Sequence, residues 1–232
     1  MKIIFPQATQ DFTQLLLQML EKSMAQIFLD KSFEGYELER FDKIIIVVLK
    51  NKEIERFLNE YLRKHDQIRD FEIITLTKET SGAICTTLMA ISSLKNQPVV
   101  ISALDQIIEG TKIDFNQIIY DDDFDVVVPT FFSKDSTLCF TLKDDEGSVI
   151  QLFEKKPVSN DAVLGIYLVR NFTDFYKNCY ELLIKYKGFK DRLFYTSDVI
   201  NNYIGKGYKC EFPITTTKYL KIRSIQDMDN IL

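Results

Sequence analysis

Residues 153–168 bring together several groups that could bind a phosphorylated ligand, in the order FEKKPVSNDAVLGIYL. The carboxylate of Glu154 can accept hydrogen bonds from neighbouring hydroxyl groups, such as those of a sugar ring. The ammonium group of Lys155 or Lys156 can neutralise a phosphate placed beside it. The same residues are also compatible with a charged turn that leads into a core strand, so the interpretation depends on the rest of the chain.

Three other segments follow predicted strands, at the edge where ligands collect in an open α/β sheet. The loop Gln7–Thr13 would lie over a triphosphate. Thr80–Ala83 opens a predicted helix with free backbone N–H groups, and Gly82 would let a ligand ring approach the main chain. Asp105 follows an apolar strand and is placed to hold Mg²⁺ between phosphate oxygens. The structural alternatives are a helix-start turn at Gly82 and a turn-capping role for Asp105.

Apolar patterns around these segments predict alternating strands and helices. The run IIIVVL at residues 44–49 is unbroken and largely β-branched, which is typical of a strand covered on both faces. The repeated strand–helix order predicts an α/β, Rossmann-like fold, with a mostly parallel or mixed sheet and helices on both faces. Further predicted strands are Lys2–Phe5, closed by Pro6, then Phe71–Leu76 and Pro98–Leu104, and predicted helices are Asp11–Phe28, Lys52–His65 and Gly82–Leu94.

The pattern changes after Pro129, where short predicted strands alternate with turns. The acidic run Asp121–Asp123 is most simply a solvated turn before the strand Asp125–Pro129. Because no linker or repeat interrupts the chain, residues 1–232 are expected to form one domain.

Composition excludes several functional classes. The 29 Lys and Arg residues against 34 Asp and Glu residues give a net charge of −5, which argues against general nucleic-acid binding. The four cysteines are widely spaced and His65 is the only histidine, so the common zinc-site spacings and a histidine-dependent triad are not expected. No secretion signal or membrane span is evident, and a cytoplasmic location without membrane insertion is expected.

These segments, in this order, resemble the sugar-phosphate nucleotidylyltransferase family, whose members join an NTP to a sugar 1-phosphate. Residues 153–168 are similar to its Glu-Lys-Pro…Gly-x-Tyr motif. Lys2–Ala8 resembles the opening strand, Lys22–Ile27 followed by Lys31 resembles the segment with the catalytic lysine, and Val100–Asp105 resembles the metal-binding strand. Tyr195–Ile200 lies where members of the family carry a substrate-side segment.

The resemblance implies a nucleotide-binding half, residues 1–130, and an acceptor-binding half, residues 131–232, with roles for individual residues. Lys22 would stabilise charge on the α-phosphate, and Asp105 would be catalytic as the ligand of Mg²⁺. The nucleotide would contact Gln7, Ala8, Ser81, Gly82 and Ala83, and the acceptor would contact Glu154, Lys155 or Lys156, Asn160 and Gly165. The implied partners are an NTP and a phosphorylated small molecule, and formation of a homo-oligomer stays open.

Two departures from the family pattern bear on activity. After Ala8 the chain has neither the glycines nor the arginine of the family's Gly-x-Gly-x-Arg loop, and Asp11 adds a negative charge where anions should bind. Near the C-terminus, Lys221 replaces the second metal-binding aspartate, although a lysine there could itself contact phosphate.

Three functions are therefore compatible with the sequence. The first is a nucleotidylyltransferase that makes an activated sugar or related metabolite for a capsule or surface polysaccharide. The second is a catalytically inactive relative that serves as a regulatory or scaffolding subunit, which the missing loop favours. The third is a glycosyltransferase that uses a nucleotide-sugar, with Asp121–Asp123 supplying a metal-binding Asp-x-Asp pair.

Overall fold

The computed structural model describes residues 1–94, 96–110, 124–187 and 192–231. Their largest element is a seven-stranded sheet in the order β12-β6-β11-β4-β1-β2-β3. Strands β3, β2, β1 and β4 are parallel to one another, whereas β11 runs antiparallel to both β4 and β6. The strands of this sheet are β1 (Lys2–Gln7), β2 (Lys43–Leu49), β3 (Phe71–Leu76), β4 (Val99–Ser102), β6 (Val126–Val127), β11 (Ile166–Val169) and β12 (Cys210–Glu211).

Helices cover both faces of this sheet, as predicted. Successive residues of a strand point to opposite faces, so an unbroken apolar strand is apolar on both faces and each face needs cover. On β1, Ile3 belongs to a core cluster with Phe12 of α1, whereas Ile4 belongs to a second cluster with Phe175 of α5. The helices are α1 (Gln10–Glu21), α2 (Ala25–Phe33), α3 (Lys52–Lys64), α4 (Ala83–Leu88), α5 (Phe172–Lys185), α6 (Thr196–Gly205) and α7 (Ile225–Asp229).

Two smaller sheets complete the described part of the fold. A four-stranded sheet has the order β7-β10-β8-β9, and a two-stranded antiparallel sheet pairs β13 with β5. Their strands are β5 (Gln106–Glu109), β7 (Thr130–Phe132), β8 (Cys139–Lys143), β9 (Val149–Glu154), β10 (Asp161–Val163) and β13 (Lys218–Lys221). Strands from both sides of residue 130 share the large sheet, since β11 and β12 join it beside β4 and β6.

The prediction of one helix over Asp11–Phe28 is wrong, because the chain turns between α1 and α2. Ser23 has a φ of 57°, in the left-handed region, and the Met24 N–H donates to the Met19 carbonyl at 2.8 Å. This is the hydrogen bond of a Schellman helix end. Apolar spacing did not reveal the break, because residues on both sides of it pack into the same core.

Other boundaries also differ from the predicted ones, and two of the differences have a clear structural form. Pro6 lies inside β1, beyond Lys2–Ile4, the part of the strand that pairs with β4. No described strand pairs with β1 on that side at Pro6, and such unpaired positions are where strands tolerate proline. The predicted helix Gly82–Leu94 is shorter, consisting of α4 and a separate 3₁₀ turn at Ile91–Ser93. Asp121–Asp123 lies outside the described residues.

Candidate functional site

A cleft of about 790 Å³ lies at the C-terminal edge of the parallel strands. Its walls are formed by the first turns of α1, the loop after β4, the β8–β9 sheet and β13. Among the described residues, three acidic and three basic side chains line it, so the charges that they contribute balance. They are Asp11, Asp105, Glu154, Lys155, Lys221 and Arg223.

Asp105 lies in the loop between β4 and β5 and pairs with a lysine. Lys221 Nζ donates to Asp105 Oδ1 at 2.6 Å, and the backbone N–H of Ile222 donates to the Asp105 carbonyl at 2.9 Å. The pairing of β13 with β5, which places Lys221 opposite Gln106, brings the two side chains together. The carboxylate predicted to hold a metal therefore contacts an ammonium group.

Glu154 ends β9 and is largely buried in the wall of the cleft. Its Oε2 accepts a hydrogen bond from Ser197 Oγ at 3.1 Å. Burial raises the pKa of its carboxyl, while the bond from Ser197 and a contact with the Cys139 thiol oppose that rise. Ser197 lies in the segment that the resemblance assigned to the substrate side, whereas no role for Cys139 was predicted from the sequence.

The two adjacent lysines have different environments. Lys155 lines the cleft, has a φ of 54°, and its N–H donates to the Leu138 carbonyl at 2.9 Å. Left-handed backbone is uncommon outside glycine and is often found at functional sites. Lys156 does not line the cleft, and its Nζ lies 5.1 Å from the centre of the Phe153 ring. The structure thus separates two candidates that the sequence left equivalent.

Gly165 lines the cleft beside a buried polar network that the sequence did not predict. Gln106 Nε2 donates to Ser102 Oγ at 2.9 Å and to the Tyr36 hydroxyl at 3.2 Å. The Tyr36 hydroxyl and Ser102 Oγ are 2.5 Å apart, and burial raises the pKa of Tyr36 to about 12. Because a polar side chain at the end of a strand is common, no sequence signal marks this network in advance.

The segment after β1 is a helix, so the predicted loop Gln7–Thr13 is wrong. Thr9 caps α1 by accepting a hydrogen bond from the Phe12 N–H at 3.2 Å. This segment has no glycine and carries the residues of a helix start. Asp11, in the first turn, stabilises α1 because its negative charge lies near the positive end of the helix dipole. Gln7 and Ala8 are buried and do not line the cleft, whereas Asp11 does.

Ser81, Gly82 and Ala83 also lie outside the lining of the cleft. Gly82 has a φ of 106°, and a Cβ placed there would lie 2.5 Å from the backbone oxygen of Phe194. The Phe194 N–H donates to the Ser81 carbonyl at 2.8 Å. The chain's own backbone therefore occupies the space over Gly82 where a ligand ring was expected.

Lys22 and Asn160 are exposed and do not line the cleft. Lys22 is the C-cap residue that follows α1, one turn beyond Gln18, which does line the cleft. The catalytic role of Lys22 and the acceptor-binding role of Asn160 stay predictions, and the positions of these side chains outside the cleft do not support them. Arg223, which was not singled out from the sequence, does line the cleft, where it donates to Asp135 Oδ2 at 3.2 Å and to Thr137.

The residues present do not fit the magnesium site that the resemblance implies. Magnesium is bound through oxygen ligands in a near-octahedral arrangement. Within the described ranges, no three or more histidine, cysteine or acidic side chains are grouped to hold a metal ion, so a metal at Asp105 would take most of its ligands from water and substrate. Asp105 Oδ1 is engaged by Lys221, the residue that the sequence resemblance aligned with a second metal-binding aspartate.

Comparison with known proteins supports the fold. No protein-family model matches the chain, and no curated protein matches it. Among solved structures, the nucleoside-diphosphate-sugar pyrophosphorylase from Vibrio cholerae RC9 has a TM-score of 0.77 at 18% identity, covering 100% of this chain and 99% of that one. A UDP-glucose pyrophosphorylase complexed with UDP-glucose has a TM-score of 0.71 at 16% identity, covering 97% and 94%.

The inositol-1-phosphate CTP transferase from T. maritima is also similar, with a TM-score of 0.66 at 11% identity over 97% of this chain and 90% of that one. The chain therefore has the fold of the sugar-phosphate nucleotidylyltransferases, which confirms the predicted α/β architecture. Of the helices in the described part of the chain, none is both long and apolar enough to cross a membrane.

Proposed function

We propose that this protein is a nucleotidylyltransferase that transfers NMP from an NTP to a sugar phosphate or similar phosphorylated metabolite and releases pyrophosphate. One observation carries the proposal: residues from separate segments, Asp105, Glu154, Lys155 and Gly165, line a single cleft. The fold is that of such enzymes. By the same resemblance, we propose that the product supplies capsule or surface polysaccharide synthesis.

In this proposal the protein positions its substrates and neutralises their charge. An oxygen of the acceptor phosphate attacks the α-phosphorus in line, and pyrophosphate leaves. Lys155 neutralises the acceptor phosphate, and Glu154 accepts hydrogen bonds from hydroxyl groups of the acceptor. Arg223 and Lys221 add positive charge to the same cleft.

A catalytically inactive relative is the second candidate, and specific observations favour it. Asp11 places a carboxylate in the cleft where phosphates would bind, and α1 replaces the expected phosphate loop. Backbone of Phe194 fills the space over Gly82 that a nucleotide base would need. In this case the cleft binds a phosphorylated ligand without turning it over.

Pyrophosphate release tests the proposal. Purified protein is incubated with each NTP and a panel of sugar 1-phosphates, both with Mg²⁺ and with EDTA. We expect release with at least one pair, lost in Lys155→Ala and retained in the matched control Lys156→Ala. No release from any pair, combined with thermal stabilisation by a sugar phosphate alone, would favour the inactive relative.

A nucleotide-sugar gives a third outcome. Hydrolysis of a nucleotide-sugar without any pyrophosphate chemistry would identify a glycosyltransferase instead. That result would refute the proposed reaction while leaving the fold unaffected.

A further inference from the structure

The ion pair between Asp105 and Lys221 is fixed by the backbone of the cleft. Strand β13 pairs with β5 in a continuous register from Lys218 opposite Glu109 to Lys221 opposite Gln106. The Ile222 N–H then bonds to the carbonyl of Asp105 itself. Strand pairing therefore places the two residues side by side, and the attraction between their charges holds the ammonium at the carboxylate.

This arrangement affects which cation Asp105 can bind. Lys221 Nζ lies 2.6 Å from Asp105 Oδ1, the distance of a charge-assisted hydrogen bond, so it occupies the position that a metal ligated by that oxygen would need. A fixed positive charge also repels an approaching dication. Both side chains keep about a quarter of their surface exposed, at 27% and 23%, so the ammonium can reach a ligand in the cleft.

We propose that the ammonium of Lys221, oriented by Asp105, takes the place of a divalent cation and binds ligand phosphate directly. Lys155 and Arg223 line the same cleft and add to the positive charge around that phosphate. Asp105 is then a positioning residue and not a metal ligand. The identity of the phosphate ligand rests on the proposed function, whereas the replacement of the metal does not.

Manganese binding tests the replacement of the metal without any substrate. Mn²⁺ is titrated into the folded protein and its free concentration is followed by electron paramagnetic resonance. In the wild type we expect no Mn²⁺ binding that depends on Asp105. In Lys221→Asp, which places two carboxylates side by side, Mn²⁺ should bind at least about tenfold more tightly than to the wild type. Wild-type Mn²⁺ binding that Asp105→Asn removes would overturn the proposal, whether or not Lys221→Asp folds.

Pyrophosphate binding tests the role of the ammonium. By titration calorimetry in EDTA, we expect the wild type to bind inorganic pyrophosphate as well as it does with Mg²⁺. Lys221→Ala should weaken this binding by about tenfold or more, because a charge-assisted hydrogen bond is lost. Asp105→Asn should preserve it, since the asparagine side-chain oxygen can still accept the hydrogen bond that orients the ammonium. The proposal is contradicted if pyrophosphate binding is lost in EDTA or in Asp105→Asn. It is also contradicted if the wild type binds no pyrophosphate under any condition.

A matched control comes from the same strand. Lys218 pairs with Glu109 at 2.9 Å across the same two-stranded sheet, outside the cleft. Lys218→Ala should leave pyrophosphate binding unchanged, and an equal loss in Lys218→Ala and Lys221→Ala would refute a specific role for Lys221. If EDTA abolishes turnover, the replacement of the metal by Lys221 is refuted and the transferase activity stands. If the protein binds pyrophosphate without metal but shows no turnover, the role of Lys221 stands and the transferase activity is refuted.

Discussion

Replacement of Gly165 by alanine should destabilise the protein through a contact with Gln106. Gly165 has a φ of 75°, and a Cβ at this position would lie 2.8 Å from Gln106 Oε1. Gln106 is buried, with 1% exposure, and its amide donates to Ser102 and Tyr36. The side chain therefore cannot move away without disturbing those hydrogen bonds.

Two costs set the size of the effect. An L-residue in left-handed backbone costs about 1–2 kcal/mol. Displacing Gln106 breaks two hydrogen bonds worth about 1 kcal/mol each, so the free energy of unfolding should fall by about 3–4 kcal/mol. Gly207 is a matched control, because its φ is also 75° and no heavy atom lies within 4 Å of the added Cβ. Gly207→Ala should cost only about 1–2 kcal/mol.

Urea denaturation of both variants measures the difference between them. The change that alanine makes in the unfolded chain is common to both variants and cancels in the comparison. Equal losses in Gly165→Ala and Gly207→Ala would refute the reasoning. In a double-mutant cycle, Gly165→Ala made on a Gln106→Ala background should cost only the backbone term, about 1–2 kcal/mol.

Three further perturbations test other positions. Gly82→Ala should lower the free energy of unfolding by about 3 kcal/mol or more, measured by urea denaturation, because the new Cβ would meet the fixed backbone of Phe194. Ser23→Gly should stabilise the protein by about 0.5–1 kcal/mol in the same assay, since glycine removes the left-handed strain at the end of α1; a loss would contradict this. Because burial raises the pKa of Glu154, the folded state holds a proton that the unfolded chain releases, and stability falls as pH rises above the ordinary glutamate pKa of 4.5. The Glu154→Gln variant has no carboxyl at this position and lacks that fall. The stability of the variant minus that of the wild type should therefore increase between about pH 4 and about pH 7. A difference that does not change with pH would contradict a raised pKa for Glu154 in the folded protein.

Local patterns were sufficient to predict the central architecture. The strand Phe71–Leu76 has the predicted bounds, and α3 ends one residue before the predicted helix does. Strand and helix periods are set by neighbouring residues, so apolar spacing reports them directly. The errors at Pro6 and Ser23 have non-local or single-residue causes, since they depend on which strands pair alongside β1 and on one left-handed residue.

The candidate site was only partly accessible from the sequence. Residue types alone indicated that Asp105, Glu154 and a neighbouring lysine could serve a phosphate ligand. The choice of Lys155 over Lys156 required the backbone conformation after β9. The tight contact of Phe194 with Gly82 joins segments that are far apart in the chain, and no local pattern predicts such a contact.

The sequence by itself determined the order of strands and helices, the balance of charge and the residue types available for phosphate chemistry. Only the tertiary structure decided what Asp105 contacts, because Lys221 lies 116 residues further along the chain. Strand pairing between β5 and β13 brings the two charges within hydrogen-bonding distance. The cation beside Asp105 is therefore a consequence of sheet register, which depends on the folded chain as a whole.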